Sequence, residues 1–112
     1  MPEKTVLIFV KSRPFSSLNY YEALRVAVGL WEHHVSVIWM GNGVYSALKN
    51  ADRSLTDRVF GELQGLDLHL YVEEEALKER GFRPEDVLPD AKVVNNKQIA
   101  ELIASADASL VF

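Results

Sequence analysis

The sequence predicts a single α/β domain, a three-layer sandwich in which helices cover both faces of a mainly parallel five-stranded sheet. Short apolar runs rich in β-forming residues alternate with amphipathic segments of helical spacing. This alternation implies right-handed crossovers between parallel strands. The length of 112 residues suits one hydrophobic core and is too short for two, so we expect residues 1–112 to form one domain.

The first two strands flank an amphipathic helix. Thr5 to Val10 is a continuous apolar run, typical of a strand covered on both faces. Pro14 and the serines of the loop 11–17 end that strand. The apolar stripe of the helix that follows recurs at three- and four-residue spacing and consists of Leu18, Tyr21, Leu24, Val28 and Trp31. Val35 to Met40 is the second strand, and Gly41-Asn42-Gly43 ends it.

The middle of the chain predicts two helices and a third strand. Residues 44–50 can form a short helix, and Ser54 to Gln64 a second one. Leu66 to Val72 is the third strand. Glu73 to Arg80 is the helix after it, with Gly81 as its end signal. Three glutamates in the first turn and basic residues in the last turn favour the dipole of this helix.

The last part of the chain predicts a turn, two strands and one helix. Residues 83–90 form a turn or a single helical turn between two prolines, and Lys92 to Val94 is a short strand. Asn95 and Gln98 indicate a helix start. The apolar stripe of that helix is Ile99, Leu102, Ile103 and Ala106. Ala108 to Phe112 is the fifth strand.

The composition excludes several classes of function. With 16 acidic and 12 basic residues the net charge is −4, which disfavours direct binding to nucleic acid. The longest apolar run, Thr5 to Val10, is far shorter than a membrane span. The first ten residues lack a secretory signal, so we expect a cytoplasmic protein. There is no cysteine, which excludes disulfides, thiolate metal sites and any thiol that could carry sulfur.

Several short motifs, in this order, resemble one protein family. They are the Ser-rich loop "KSRPFSS", the helix "YEALRVAVGL", the turn "GNGVYSAL", the helix end "LKERGF" and the closing "ASADASLVF". The chain is similar to the DsrE/DsrF/TusC family of small sulfur-relay proteins, with the DsrF/TusC branch most similar. The resemblance implies a compact flavodoxin-like sandwich that assembles into trimers or hexamers, often from different subunits.

The resemblance also implies where sulfur chemistry takes place in the family. Active members similar to DsrE and TusD carry a cysteine, which accepts sulfur as a persulfide, where the third strand meets its helix. Counting back from Arg80-Gly81 places this position at Glu73 or Glu74. A carboxylate forms no persulfide. We therefore expect a non-catalytic subunit without a cofactor, which supports a DsrE/TusD-like partner and a DsrH/TusB-like partner in tRNA thiolation or sulfur oxidation.

A second hypothesis is a homo-oligomeric module that binds a small anion or nucleotide without sulfur chemistry. The candidate residues lie on the loops after strands one and two and are Ser12, Arg13, Ser16, Ser17, Asn42 and Gly43. Ordinary cap and turn roles explain the same residues. A third possibility, an enzyme that uses Glu73 as a base, requires a pocket to which nothing in the sequence points.

Two further groups of residues have a structural and a functional reading. His33, His34 and His69 lack the spacing of a metal site, so no metal is expected. Phe15, Tyr20 and Tyr45 fall outside the apolar stripe of the first helix. They could form an exposed patch at a subunit interface, where aromatic residues are enriched, or belong to the core.

Overall fold

The computed structural model describes residues 4–13, 18–30, 32–51 and 68–112. Within these ranges all strand pairs are parallel, in one sheet with the order β4-β3-β2-β1-β5. The strands are β1 (Thr5–Val10), β2 (His34–Trp39), β3 (Leu68–Glu73), β4 (Ala91–Val94) and β5 (Ala108–Val111). The predicted fold class is confirmed. The order differs from the 2-1-3-4-5 order of flavodoxin itself, so the likeness to flavodoxin is one of layers rather than of strand order.

The helices lie on opposite faces of this sheet because the chain reverses its direction across it. The helices are α1 (Asn19–Gly29), α2 (Glu74–Glu79) and α3 (Asn96–Ser105), with 3-10 helices at Gly41–Ala47 and Pro84–Asp86. The chain steps from β1 to β4 in one direction and then returns past β1 to β5. Right-handed crossovers therefore place α1 and α2 on one face and α3 on the other.

Two separate cores reflect this arrangement. The larger core packs α1, α2 and the 41–47 helix against alternate residues of the central strands, including Val6, Ile8 and Val37. The smaller core, under α3, consists of Leu7, Phe9, Ile38, Val94 and Ile99. Both sides of β1 are buried, as its continuous apolar run predicts.

The predicted inward stripe of α1 is wrong in part. The buried residues of α1 are Tyr20, Ala23, Leu24 and Ala27, whereas Leu18 is 61% exposed and Tyr21 and Val28 are half-buried. Small alanine side chains let the helix approach the sheet closely, so the face that carries Ala23 and Ala27 packs inward. Tyr20 is only 3% exposed, which contradicts its assignment to an exposed patch. Trp31 lies outside the described residues.

The other elements agree with prediction, apart from their limits. Helix α3 begins at a reciprocal cap in which Asn95 and Gln98 each bond the backbone N–H of the other at 2.9 Å. Ile103, predicted to face inward, is 51% exposed. The helix predicted over 44–50 is a 3-10 helix that begins earlier, at Gly41. The predicted helix over 54–64 lies outside the described residues. No helix in the described ranges is long and apolar enough to cross a membrane.

Candidate functional site at the carboxyl edge of the sheet

The junction between β3 and α2 is held to the neighbouring strand by Glu73. This residue ends β3 and occupies the N-cap position of α2 with an extended backbone, without a capping bond from its side chain. Its Oε1 accepts a hydrogen bond of 3.1 Å from the backbone N–H of Gly41, at the end of β2. The carboxylate is half-buried and joins two loops that follow adjacent parallel strands. Glu73 thus occupies a structural position at the site where the resemblance places a cysteine.

The other two glutamates act on their own helix. Glu74 forms an exposed ion pair of 3.3 Å with Lys78, one turn along α2. Glu75 is exposed, and both lie in the first turn. Carboxylates there favour the helix dipole, as the sequence predicts. The local sequence pattern does not predict the bond between Glu73 and Gly41, because the two residues are 32 positions apart.

Arg80 fastens the other end of α2 to the 41–47 helix. Its Nη1 donates to the Ala76 carbonyl oxygen at 3.0 Å, and its Nη2 donates to Asn42 Oδ1 at 2.9 Å. The guanidinium also lies 5.9 Å from the centre of the Tyr45 ring, which contacts Phe82 edge-on. Only 19% of the Arg80 side chain is exposed. The sequence pattern indicates Arg80 as part of a helix end but gives no signal of this tertiary role.

Close packing requires a glycine at position 43, and a role of this residue in ligand binding stays a prediction. A Cβ atom built on Gly43 would overlap the carbonyl oxygen of Val10 at the end of β1. The Gly43 N–H donates to the Met40 carbonyl at 2.9 Å, which closes the turn. Gly41 supplies the positive φ of 55° that this turn needs. Gly41 bonds Glu73, Asn42 bonds Arg80, and Gly43 packs against the backbone of β1. Each residue of this turn, which is predicted to hold an anion, therefore contacts another part of the same chain.

The loop after β1 also contacts its own chain. The backbone N–H groups of Lys11 and Ser12 donate to the Phe112 oxygen at 2.8 and 3.2 Å. These donors lie between β1 and β5, where the strand order reverses and ligands of parallel sheets commonly bind. In this structure both N–H groups donate to the same oxygen of Phe112. Ser12 and Arg13 are described, whereas Phe15, Ser16 and Ser17 lie outside the described residues, so ligand binding there stays a prediction.

The histidines and Tyr45, the remaining candidate residues, do not form a common site among the described residues. Among the described residues no group of three or more His, Asp or Glu side chains could hold a metal ion. His33 Nδ1 accepts from the Lys4 N–H at 3.1 Å, and His69 stacks on Tyr71. Tyr45 is half-buried against Arg80 and Phe82, so its predicted interface role remains untested. At the carboxyl edge of the sheet, the polar side chains of Glu73, Arg80 and Asn42 thus form hydrogen bonds within the chain.

Comparisons with known proteins show the family of the chain and relatives with the same fold. The model of the DsrE/DsrF-like family matches residues 4–112. A protein of Aliivibrio fischeri named TusC homolog is 26% identical over 110 residues, which cover 91% of this chain and 93% of that protein. The crystal structure of YchN from E. coli superposes with a TM-score of 0.82 at 17% identity, covering 99% of this chain and all of that one. A protein of unknown function from Methanobacterium thermoautotrophicum, MTH1491, gives 0.76 at 17% identity, covering 98% of this chain and all of that one.

Proposed function

Because the chain belongs to the DsrE/DsrF-like family, we propose that it is a non-catalytic subunit of a cytoplasmic sulfur-relay complex. In this role it supports a cysteine-bearing partner similar to DsrE or TusD, and a subunit similar to DsrH or TusB completes the assembly. The similarity to a TusC homolog over nearly the whole chain supports the proposal. The sulfur that is carried serves tRNA thiolation or sulfur oxidation.

The proposal rests mainly on the residue found at the junction between β3 and α2. Where the resemblance expects a persulfide carrier, the chain has Glu73, and its carboxylate is bonded to the backbone of Gly41. The 112 residues contain no cysteine that could take its place. A carboxylate oxygen does not accept sulfur from a sulfane donor, so Glu73 cannot form a persulfide. In the proposed complex the reacting sulfur therefore belongs to another subunit.

The same junction suggests what the subunit contributes. Glu73 and Arg80 hold both ends of α2 against the loop and helix that follow β2. Such cross-loop bonds make the carboxyl edge a preformed surface, so little ordering entropy is lost when a partner docks there. We infer that the subunit supplies a rigid contact surface to the partner that carries the cysteine.

Co-expression with cysteine-bearing relatives from the same genome tests the proposal. We expect one stable mixed oligomer on size-exclusion chromatography and native mass spectrometry. After addition of a sulfane donor, the partner should gain sulfur while the mass of this chain stays unchanged.

A Cys→Ser variant of the partner is the matched control, because it should assemble normally and gain no sulfur. Two results would refute the proposal. One is that this chain forms no complex with any of the cysteine-bearing relatives. The other is a covalent gain of sulfur by this chain.

A further inference from the structure

The two edges of the sheet differ in how they are protected. The β4 edge, with sequence AKVV, carries the exposed Lys92 and follows Pro89 and Asp90. The β5 edge, with sequence ASLV, has neither charge nor proline, and every residue in it is exposed. Proteins commonly guard edge strands with lysine, proline or short length, since unpaired backbone groups attract further strands. Both edge strands are short, at four residues each, but only the β4 edge also has a lysine and a nearby proline.

The unpaired groups of β5 can be assigned from its ladder with β1. The Phe112 N–H donates to Phe9, and its oxygen accepts from Lys11, so Phe112 faces β1. Alternation along the strand then points the backbone groups of Ser109 and Val111 away from β1. In the described ranges of the chain, no group bonds to the outer side of this strand.

Exposed apolar side chains accompany these backbone groups. Leu110 is 41% exposed and, through its pairing with Ile8, lies on the face of α1 and α2. Val111 is 61% exposed and, paired with Phe9, lies on the face of α3. Ile103 of α3 is also exposed. The strand thus offers both hydrogen-bonding groups and apolar surface to a further strand.

We propose that β5 pairs in antiparallel register with β5 of a second copy of this chain, about a two-fold axis at Leu110. In that register Ser109 exchanges both backbone hydrogen bonds with Val111 of the second copy, and Val111 does so with Ser109. The outward residues lie symmetrically on either side of Leu110, so the edge is complementary to itself, as a two-fold interface requires. Its lack of charge avoids repulsion between two acidic chains. This contact goes beyond the proposed function, which needs no second copy.

Cysteine trapping tests the register directly, because the natural chain contains no cysteine. Across the axis the two Leu110 residues form a non-hydrogen-bonded pair with Cα atoms about 4.5 Å apart, a distance that a disulfide can span. Mild oxidation of a Leu110→Cys variant should therefore give a disulfide-linked dimer. Leu18→Cys is the matched control, since Leu18 is more exposed, at 61%, and lies outside β5. Equal cross-linking of the two variants would overturn the proposal.

Sedimentation of the chain without other subunits provides a second measurement. We expect a dimer whose dissociation constant rises about tenfold or more in Leu110→Lys, because like charges would lie directly opposite. Leu18→Lys should leave the constant unchanged, and circular dichroism would verify that both variants fold. A chain that stays monomeric at every concentration, including one whose edge is covered only by a different protein, would refute the pairing of two copies.

Discussion

The carboxylate of Glu73 and the backbone N–H of Gly41 form a 3.1 Å hydrogen bond that joins the ends of β3 and β2. Removing the acceptor leaves a half-buried N–H without a partner. We expect Glu73→Ala to lower the free energy of unfolding by about 1–2 kcal/mol and Glu73→Gln to cost less, since its amide oxygen can still accept. Urea denaturation measures both. Glu75→Ala is the control, and an equal loss there would show that the helix dipole alone explains Glu73.

Arg80 should contribute more than the other arginine near α2. Its guanidinium bonds Asn42 and Ala76 and is mostly buried, so we expect Arg80→Ala to cost about 2–3 kcal/mol. Arg83 is 80% exposed and lies 3.8 Å from Glu85. Arg83→Ala should change stability by less than about 0.5 kcal/mol. A double-mutant cycle with Asn42→Ala measures the coupling, and a coupling energy of zero would contradict the bond.

Gly43 and Gly29 provide a matched pair of substitutions. A Cβ at Gly43 overlaps the Val10 carbonyl oxygen, whereas a Cβ at Gly29 meets no atom within 4 Å. We expect Gly43→Ala to destabilise the protein by about 1–3 kcal/mol, or to prevent folding, because the backbone of β1 must move. Gly29→Ala should be neutral or stabilising by up to about 1 kcal/mol. Thermal unfolding compares the two, and a tolerated Gly43→Ala would be inconsistent with the close approach.

The cap of α3 gives a prediction about a single helix end. Asn95 Oδ1 accepts from the Gln98 N–H at 2.9 Å. Loss of this acceptor in Asn95→Ala should cost about 1 kcal/mol, while Asn95→Asp should retain most of the stability. Asn96→Ala, an exposed neighbour, should stay within about 0.5 kcal/mol. Chemical denaturation of the three variants is sufficient, and equal losses at both positions would refute the cap.

The features that could be predicted from sequence are those set by neighbouring residues. The continuous apolar run of β1 and the Asn95–Gln98 cap each depend on residues within one element, so their patterns carry the information. The inward face of α1 is predictable only in part, because the large apolar residues indicate one stripe, whereas the small side chains of Ala23 and Ala27 decide the packing. The strand order and the Glu73–Gly41 bond depend on tertiary proximity, for which the local sequence has no signal.

The pairing of β1 with β5 has a consequence for how the chain acquires its structure during synthesis. Thr5 donates its N–H to the Asp107 carboxylate at 2.8 Å, across a separation of 102 residues. One side of β1 therefore stays vacant until the residues of β5 have been translated. Parallel contacts of such long range form slowly, and a vacant apolar edge attracts neighbouring nascent chains. Rapid docking of β5 on β1, unaided or with help from a chaperone, should then raise the yield of native protein.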